Sequence, residues 1–176
     1  MANWRTKFTL PFFAVLVAVY VSDLLSKLWI LKKFAVQGQS EPIIGKFLYF
    51  TLTRNEGGVF GMMQGHAWLF QILTGFAIVF LLYYYYRSAE GSKIFTLAIA
   101  AILGGALGNF TDRFYGNTPG VVDFIDVRFG NFRWFIFNIA DAFICVGAFL
   151  LAVAFYKFEK AEKAARLEET QGEKKV

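Results

Sequence analysis

The segment 104–144 organises the whole chain: it reads GGALGNFTDR (104–113), FYGNTPGVVDFIDVRFGNFRW (114–134) and FIFNIADAFI (135–144). Its first and last parts are apolar and predict helices, and the middle part predicts a short polar excursion. Polar side chains end the first helix (Asn109, Asp112 and Arg113), stand in the polar stretch (Asp123) and lie about one turn inside the second helix (Asn138 and Asp141). An acidic side chain at the centre of a bilayer costs about 2.5–3.5 kcal/mol, so each acid here needs a partner or a function.

The composition is that of a membrane protein. Hydrophobic residues make up 57% of the 176 residues, whereas soluble domains are about 45–50% apolar. Several apolar runs reach the ~20 residues that cross a bilayer core. The net charge of +5 lies largely beside these runs and in the C-terminal tail. Because no basic face is formed, the sequence indicates no nucleic-acid partner.

Four spanning helices are predicted within a single membrane domain, residues 1–156. They cover about 9–31, 68–86, 94–109 and 134–156. Two polar excursions interrupt them at 32–66 and 112–133, and a charged, helix-forming tail follows at 157–176. The Lys and Arg residues are slightly more numerous on the side of the termini. This favours cytoplasmic termini, a cytoplasmic tail and extracytoplasmic excursions.

The excursions are expected to carry a small extracytoplasmic β element. FLYFTLT (47–53) is rich in aromatic and β-branched residues, and a turn follows it at 54–58. A second hairpin is predicted over 124–137, with Gly130-Asn131 at its turn. The fold class is therefore an all-α polytopic membrane protein with four transmembrane helices and this β element.

Two local spacings predict contacts inside the bundle. Gly104 and Gly108 form a small-xxx-small pair, which lets helices approach closely. Asp23 and Lys27 are i,i+4 neighbours on the first helix. They are either a self-neutralised pair with Lys27 extending outward, or a brace beneath a functional site.

Asp123 and Asp141 are the candidate catalytic pair. Two aspartates held a few ångströms apart share a proton, so one serves as general base and the other as general acid. Asn109 and Arg113 are i,i+4 neighbours and Asn138 and Asp141 are i,i+3 neighbours, so each pair faces one way and Asn109, Arg113 and Asn138 are placed to orient the aspartates. The alternative is structural: Asp112 with Arg113 or Arg133, and Asp126 with Arg128, form interfacial ion pairs, and Asp123 is a turn residue.

Other chemistries find little support in the sequence. The chain has one histidine, His66, and one cysteine, Cys145, so neither a metal cluster nor a disulfide is expected. Cys145 is expected to be a small core residue and His66 a surface or helix-cap residue. No HExxH or GxSxG motif is present.

Five segments together resemble the bacterial lipoprotein signal peptidases, the signal peptidase II family of membrane aspartic proteases. They are DLLSK (23–27), NEGGVFG (55–61), GGALGNFTDR (104–113), GVVDFIDV (120–127) and FNIADAFI (137–144). Their order and spacing match the family, and with the four spans they cover about residues 10 to 156. Leu24 departs from the family's frequent Asp-Gln pair. The tail lies outside the resemblance.

The resemblance implies a function and a set of residue roles. The family removes signal peptides by cleaving N-terminal to a diacylglyceryl-modified cysteine, uses no metal or cofactor, and is inhibited by globomycin. It implies a bacterial inner-membrane protein, expected to be a monomer, with its active site facing outward. Asp123 and Asp141 would be the catalytic pair. Supporting or substrate-binding residues would be Asn109, Arg113, Asn138, Asn55 and Gly57; structural residues would be Asp23, Lys27 and Asp112.

Two other functions remain open from the residues alone. Four short helices with an embedded acid, Asp23, also suit a small proton-coupled exporter. In that case Asp123 and Asp141 would be dispensable. A structural membrane subunit is the third reading, and it leaves the cost of placing Asp141 in an apolar helix unexplained.

Overall fold

The computed structural model describes residues 10–58, 63–88, 92–115 and 120–173. The elements in these ranges are α1 (Leu10–Lys33), β1 (Ser40–Ile44), β2 (Leu48–Asn55), α2 (Ala67–Arg87), α3 (Lys93–Tyr115), β3 (Val121–Phe129), β4 (Phe132–Arg133) and α4 (Ile139–Glu173). All four of these helices are long and apolar enough to cross a membrane. The predicted fold class is therefore confirmed. Residues 59–61 of the NEGGVFG segment and 116–119 of the second excursion lie outside the described residues.

Helix α3 is the centre of the bundle, because α1, α2 and α4 all pack against it. Its glycines make this possible. A Cβ on Gly104 would lie 2.7 Å from the carbonyl oxygen of Leu16 in α1, and one on Gly108 would meet the carboxylate of Asp23. A Cβ on Gly105 would lie 2.6 Å from the carbonyl oxygen of Ala140 in α4. The predicted close approach at Gly104 and Gly108 is confirmed.

The strands form one antiparallel sheet in the order β1-β2-β3-β4. The two β elements predicted separately are thus joined, because β2 pairs with β3 from Leu48↔Val127 to Asn55↔Val121. Apolar side chains of the sheet, of α1 and of the residue that follows α1 form a common core: Ile30, Phe34, Leu52, Val122 and Phe124. The sheet is therefore seated on the end of α1.

Two helix boundaries differ from the prediction. Helix α3 continues to Tyr115 rather than ending near Asn109, because its polar side chains find partners within the fold. Helix α4 begins at Ile139 rather than near Trp134. The preceding residues are held by the sheet, since the backbone N–H of Phe137 donates to Ile125 at 3.1 Å and its carbonyl accepts from Ile125 at 2.7 Å.

Helix α4 also continues through the charged segment, to Glu173. Two i,i+4 ion pairs are present in this segment, Glu159–Lys163 and Glu162–Arg166, each at 2.6 Å. Both pairs are exposed, and such pairs stabilise a helix by only a few tenths of a kcal/mol, roughly 0.3–0.5.

Candidate active site

Asp123 is the third residue of β3 and lies opposite Thr53 of β2. Its side chain is buried, with the residue 2% exposed. The alternative that Asp123 is a turn residue is therefore wrong. The strand register explains its position, since β2–β3 pairing holds this part of the chain on the end of the bundle. Gly120, just before β3, has φ +96° and lies too close to the carbonyl of Asn55 for a side chain.

Asp141 is held at the start of α4 by a reciprocal cap. Asn138 directly precedes the helix, and its side-chain oxygen accepts the backbone N–H of Asp141 at 2.8 Å. The Asp141 carboxylate in turn accepts the backbone N–H of Asn138 at 3.3 Å. This is the geometry of a capping box. The predicted start near Trp134 puts both residues about one turn inside the helix; this is wrong, because Asn138 caps the helix and Asp141 lies in its first turn.

The side-chain amides of Asn138 and Asn109 connect the two aspartates. Nδ2 of Asn138 donates to Oδ1 of Asp123 at 2.7 Å and to Oδ1 of Asn109 at 3.0 Å. Nδ2 of Asn109 donates to Oδ1 of Asp141 at 2.8 Å. The prediction that Asn109, Asp123, Asn138 and Asp141 lie close together agrees with these contacts, because α3, β3 and α4 converge here.

Beneath this site, Lys27 is buried among three acceptors. Its Nζ lies 2.6 Å from Asp23 Oδ2, 3.0 Å from Asp112 Oδ2 and 3.1 Å from Asn109 Oδ1. The alternative in which Lys27 extends outward is wrong, since the residue is 2% exposed. With two carboxylates around one ammonium, the cluster carries a net formal charge of −1.

Two backbone contacts tie this cluster to the site. Oδ1 of Asp23 accepts the N–H of Ala140 in the first turn of α4 at 2.9 Å. Oδ2 of Asp112 accepts the N–H of Val122, next to Asp123, at 3.0 Å. The cluster therefore fixes the two backbone segments that carry the aspartates. The alternative that pairs Asp112 with Arg113 or Arg133 is wrong, because the ion pair of Asp112 is with Lys27.

Arg113 and Asn55 form the wall towards the sheet. Nη2 of Arg113 donates to the carbonyl of Gly57 at 3.1 Å, and its guanidinium lies 5.9 Å from the centre of the Phe70 ring. The Asn55 side chain closes the turn after β2, accepting from Gly57 N–H at 3.0 Å and donating to Gly58 at 3.1 Å. Gln64, which sequence reasoning missed, also donates to Asn55 at 3.1 Å.

The environments of Asp123 and Asp126 set their pKa values apart. Burial raises the pKa of Asp123 from 3.8 to about 7, and the neighbouring charge of Asp141 acts in the same direction. Lys27 and hydrogen bonds from Asn138 and Asn55 oppose this. Asp123 is therefore partly protonated near neutral pH, as a general acid requires.

Asp126, on the same strand, is an ion-pair residue. Burial opposes its ionisation, but hydrogen bonds from Arg128, Arg133 and Thr51 hold its pKa well below the ordinary value. Nε of Arg133 donates at 2.8 Å, and Arg128 also bonds the carboxylate directly. The predicted Asp126–Arg128 pair is confirmed, with Arg133 as an additional partner.

Asp123 and Asp141 line one cavity of about 450 Å³. Its polar end also includes Asn55, Asn109 and Arg113, and its other walls are apolar.

Asp23 does not line this cavity, so the exporter alternative gains no support. Cys145 also lines the cavity. It is exposed, so the expectation that it is a small core residue is wrong. His66 is exposed just before α2, as predicted.

Helix α2 supplies a wall that sequence reasoning missed: Phe70, Leu73, Thr74, Ala77 and Leu81. Their spacing is helical, but α2 is apolar on every side, so the spacing alone singles out no face.

Across the described ranges, no group of three or more His, Cys, Asp or Glu residues is arranged to hold a metal ion. The absence of a cofactor stays a prediction.

Comparison with known proteins gives one consistent family. The model of the family described as "Signal peptidase (SPase) II" matches residues 15–157. The lipoprotein signal peptidase of Halalkalibacterium halodurans is 35% identical over 157 residues, covering 89% of this chain and 97% of the relative. That of Bacillus pumilus is 41% identical over 131 residues, covering 74% and 83% respectively.

Solved structures agree with this. A structure described as "Bacterial membrane enzyme structure by the in meso method at 2.3 A resolution" superposes with a TM-score of 0.77 at 32% identity. It covers 86% of this chain and 90% of the other. A second structure, described in the same words at 1.9 Å, gives a TM-score of 0.73, also at 32% identity, covering 85% of this chain and 94% of the other.

Proposed function

This chain belongs to the signal peptidase II family, and we propose that it is an aspartic endopeptidase with Asp123 and Asp141 as its catalytic pair. Its substrates are prolipoproteins whose cysteine carries a diacylglyceryl group, and it cleaves on the N-terminal side of that cysteine. The observation that carries this proposal is the pair itself. Two aspartates from different elements line one cavity and are joined through the amides of Asn138 and Asn109.

The two aspartates have different roles in the proposed reaction. The carboxylate of Asp141 accepts a backbone N–H and the Asn109 amide, and these contacts orient it as the base that takes a proton from water. Buried Asp123 holds the other proton and donates a hydrogen bond to the carbonyl oxygen as the water attacks. A proton then passes to the leaving amine as the C–N bond breaks.

The neighbouring polar groups would hold the pair and the peptide. Asn138 and Asn109 orient the carboxylates. Arg113 supplies a positive charge at the same end of the cavity, and the turn formed by Asn55 and Gly57 lies beside it. These residues are placed to contact an extended peptide whose scissile bond lies between the aspartates. The cluster of Asp23, Lys27 and Asp112 would hold the backbone of α4 and β3 in place, and with it the two aspartates.

The location of the site suits a substrate that is itself membrane-bound. The aspartates lie where the spanning helices meet the sheet, at the level where a signal helix leaves the hydrocarbon. We place the sheet on the extracytoplasmic side of the bacterial inner membrane and the α4 extension in the cytoplasm. The enzyme acts as a monomer amid membrane lipids, and globomycin-type inhibitors occupy the cavity beside the pair.

A gel-shift assay tests the proposal. The purified full chain is incubated with one prolipoprotein in diacylglyceryl-modified and unmodified forms, with and without globomycin. We expect the modified form alone to lose its signal peptide, and globomycin to prevent this. Equal cleavage of the unmodified form would contradict the substrate assignment. Absence of cleavage of either form, by protein that retains its thermal unfolding transition, would contradict the enzymatic assignment.

A further inference from the structure

The tip of the sheet has two unlike faces. Successive residues of a strand point to opposite sides, and the register of β3 with β4 pairs Phe129 with Phe132 and Arg128 with Arg133. One face therefore carries aromatic rings, and the other carries two arginines. We refer to this region, residues 126–135, as the amphipathic hairpin.

The aromatic face of the amphipathic hairpin is exposed. Five rings belong to it or adjoin it, each between 45% and 56% exposed: Phe47, Phe129, Phe132, Trp134 and Phe135. The rings contact one another, with centroids 5.0 Å apart for Phe47 and Phe129 and 6.2 Å apart for Phe132 and Trp134. Phe135 lies just before Ile139, where the spanning helix α4 begins. Exposed rings beside the end of a spanning helix are typical of the lipid–water interface.

On the other face, buried Asp126 holds two guanidinium groups side by side. Its carboxylate accepts Nε and Nη2 of Arg133 at 2.8 and 2.6 Å. It also accepts Nε of Arg128 at 3.1 Å, together with Nη2 of the same residue, and the Thr51 hydroxyl at 2.6 Å. The Arg128 guanidinium lies 3.7 Å from the centre of the Tyr49 ring. Both guanidinium groups are thereby fixed in orientation before any ligand arrives.

This cluster holds one more positive charge than its carboxylate offsets. Like charges directly opposite each other on neighbouring strands are destabilising, and a single arginine would be enough to neutralise Asp126. Asp126 is fully buried, whereas the side chains of Arg128 and Arg133 are 28% and 48% exposed. Because Arg133 uses the Nε and Nη2 side of its planar group on Asp126, its Nη1 is turned away from the carboxylate. The cluster therefore presents a net formal charge of +1 at the surface.

A phosphodiester anion is the ligand whose chemistry matches this arrangement. Guanidinium groups bind phosphate oxygens through charge-assisted hydrogen bonds, and the single negative charge of a phosphodiester balances the net charge of the cluster. The aromatic face indicates the source of the phosphate, since rings at the lipid–water interface bring the arginines to the depth of the lipid headgroups. A headgroup without a cation of its own suits the site better than a zwitterionic one, whose ammonium group would be repelled by the arginines.

We propose that Arg128 and Arg133, held in place by Asp126, bind the phosphate of an anionic phospholipid in the leaflet that contains the sheet. The inference goes beyond the proposed function and does not depend on it, because neither arginine lines the cavity beside the catalytic pair. Phe135 does line that cavity. A lipid bound at the amphipathic hairpin therefore also holds one wall of the cavity in place.

Lipid binding by the purified full chain tests the proposal. The protein in detergent is titrated with dioctanoyl phosphatidylglycerol or dioctanoyl phosphatidylcholine, and native mass spectrometry measures the fraction that carries one lipid. The wild type should bind phosphatidylglycerol more tightly. Arg133→Gln should lower this affinity about fivefold, the contribution of one basic side chain at an anionic membrane surface. Its affinity for phosphatidylcholine should stay the same.

Lys33→Gln is the matched control. Lys33 is a basic residue at the end of α1 on the same side of the membrane, but Glu41, 2.8 Å away, already offsets its charge. The substitution should leave both lipid affinities unchanged. Arg128→Gln is a second test variant and should give a loss similar to that of Arg133→Gln, because it leaves the contacts between Arg133 and Asp126 in place. If only one of the two arginine variants keeps a thermal unfolding transition, that variant decides.

Two competitors identify the source of the anion. Inorganic phosphate and a glutamate-rich peptide, each at about tenfold excess over phosphatidylglycerol, should leave the lipid bound, because neither contacts the aromatic face. Displacement by phosphate would indicate a site for a free anion, and displacement by the peptide would indicate a docking surface for acidic segments. Either result would overturn the lipid assignment. Equal affinity of the wild type for the two lipids would also overturn it, as would unchanged phosphatidylglycerol binding in a folded arginine variant. The cleavage assay is independent of all these measurements, so the protease assignment stands or fails separately.

Discussion

The side-chain amide of Asn138 donates a 2.7 Å hydrogen bond to Oδ1 of Asp123. The oxygen of the same side chain accepts the backbone N–H of Asp141 at 2.8 Å. One side chain thus performs two separable tasks: its oxygen caps α4, and its nitrogen contacts the buried acid. A substitution that keeps the first task and removes the second tests whether the contact with Asp123 matters for activity.

We expect Asn138→Ser to keep the cap of α4 and to reduce cleavage. Serine is a good N-cap, so Asn138→Ser should be about 1 kcal/mol more stable than Asn138→Ala, which loses the cap. Both variants lack the amide donor. A hydrogen bond to a charged or proton-sharing group contributes about 1.5–3 kcal/mol, so kcat should fall roughly 10–100-fold in each. Thermal unfolding and lipopeptide cleavage provide the two readouts. Wild-type kcat in Asn138→Ser would show that the amide contact is dispensable.

Asp123→Asn and Asp141→Asn should each abolish cleavage while the protein stays folded. Removing either carboxylate takes away the proton relay, so the double variant should be no less active than either single one. Glu41→Gln is the control: Glu41 is half-exposed, pairs with Lys33 at 2.8 Å and lies outside the cavity. Its rate should match the wild type. Near wild-type cleavage by either aspartate variant would refute the aspartic mechanism.

The features that could be predicted from the sequence are those with a local cause. Hydropathy located all four spans, since a helix of about 20 apolar residues is determined by composition. The i,i+3 spacing of Asn138 and Asp141 placed both at one site, and Gly104 with Gly108 indicated close helix packing. Each of these depends on residues a few positions apart.

The remaining features depend on partners distant in sequence. Lys27 has several acids within reach of a folded chain, and only the packing of α1 on α3 selects Asp112 as its second partner. The pairing of β2 with β3 joins segments some seventy residues apart, so no local pattern reveals that Asp123 lies opposite Thr53. The cavity wall on α2 was missed for a similar reason. An all-apolar helix carries no mark of which face meets a ligand.

Asp23→Asn should destabilise the protein far more than it affects chemistry. It leaves Lys27 paired with Asp112 alone in a buried cluster, so the cost should exceed that of an exposed pair but stay below the about 3–5 kcal/mol of a buried charge left without any partner. The exposed pair Lys33–Glu41 offers the comparison, since Glu41→Gln should cost no more than about 1 kcal/mol. Protein that survives purification should retain measurable cleavage. A stable but inactive Asp23→Asn variant would indicate a direct role for Asp23 in the reaction.

The sheet should be accessible from outside the cell and the α4 extension from the cytoplasm. In a Cys145→Ala background, Gln39→Cys places a thiol just before β1, and Lys160→Cys places one on the exposed extension of α4. An impermeant maleimide added to intact cells should label the first and not the second, and permeabilisation should expose both. Labelling at Lys160→Cys alone would reverse the assigned orientation.

The stability of the protein should fall as the pH rises through neutrality, because of Asp123. Its pKa is raised in the folded state from 3.8 to about 7, so the folded protein holds this proton more tightly than the unfolded chain. The resulting stabilisation is complete below about pH 4 and is lost as the pH approaches and passes 7. A shift of about three units corresponds to roughly 4 kcal/mol as an upper value. Asp123→Asn should abolish this component, so its melting temperature should exceed that of the wild type at pH 8 more than at pH 5. If the melting temperatures of the two proteins instead changed equally with pH between pH 5 and pH 8, Asp123 would ionise freely in the folded state.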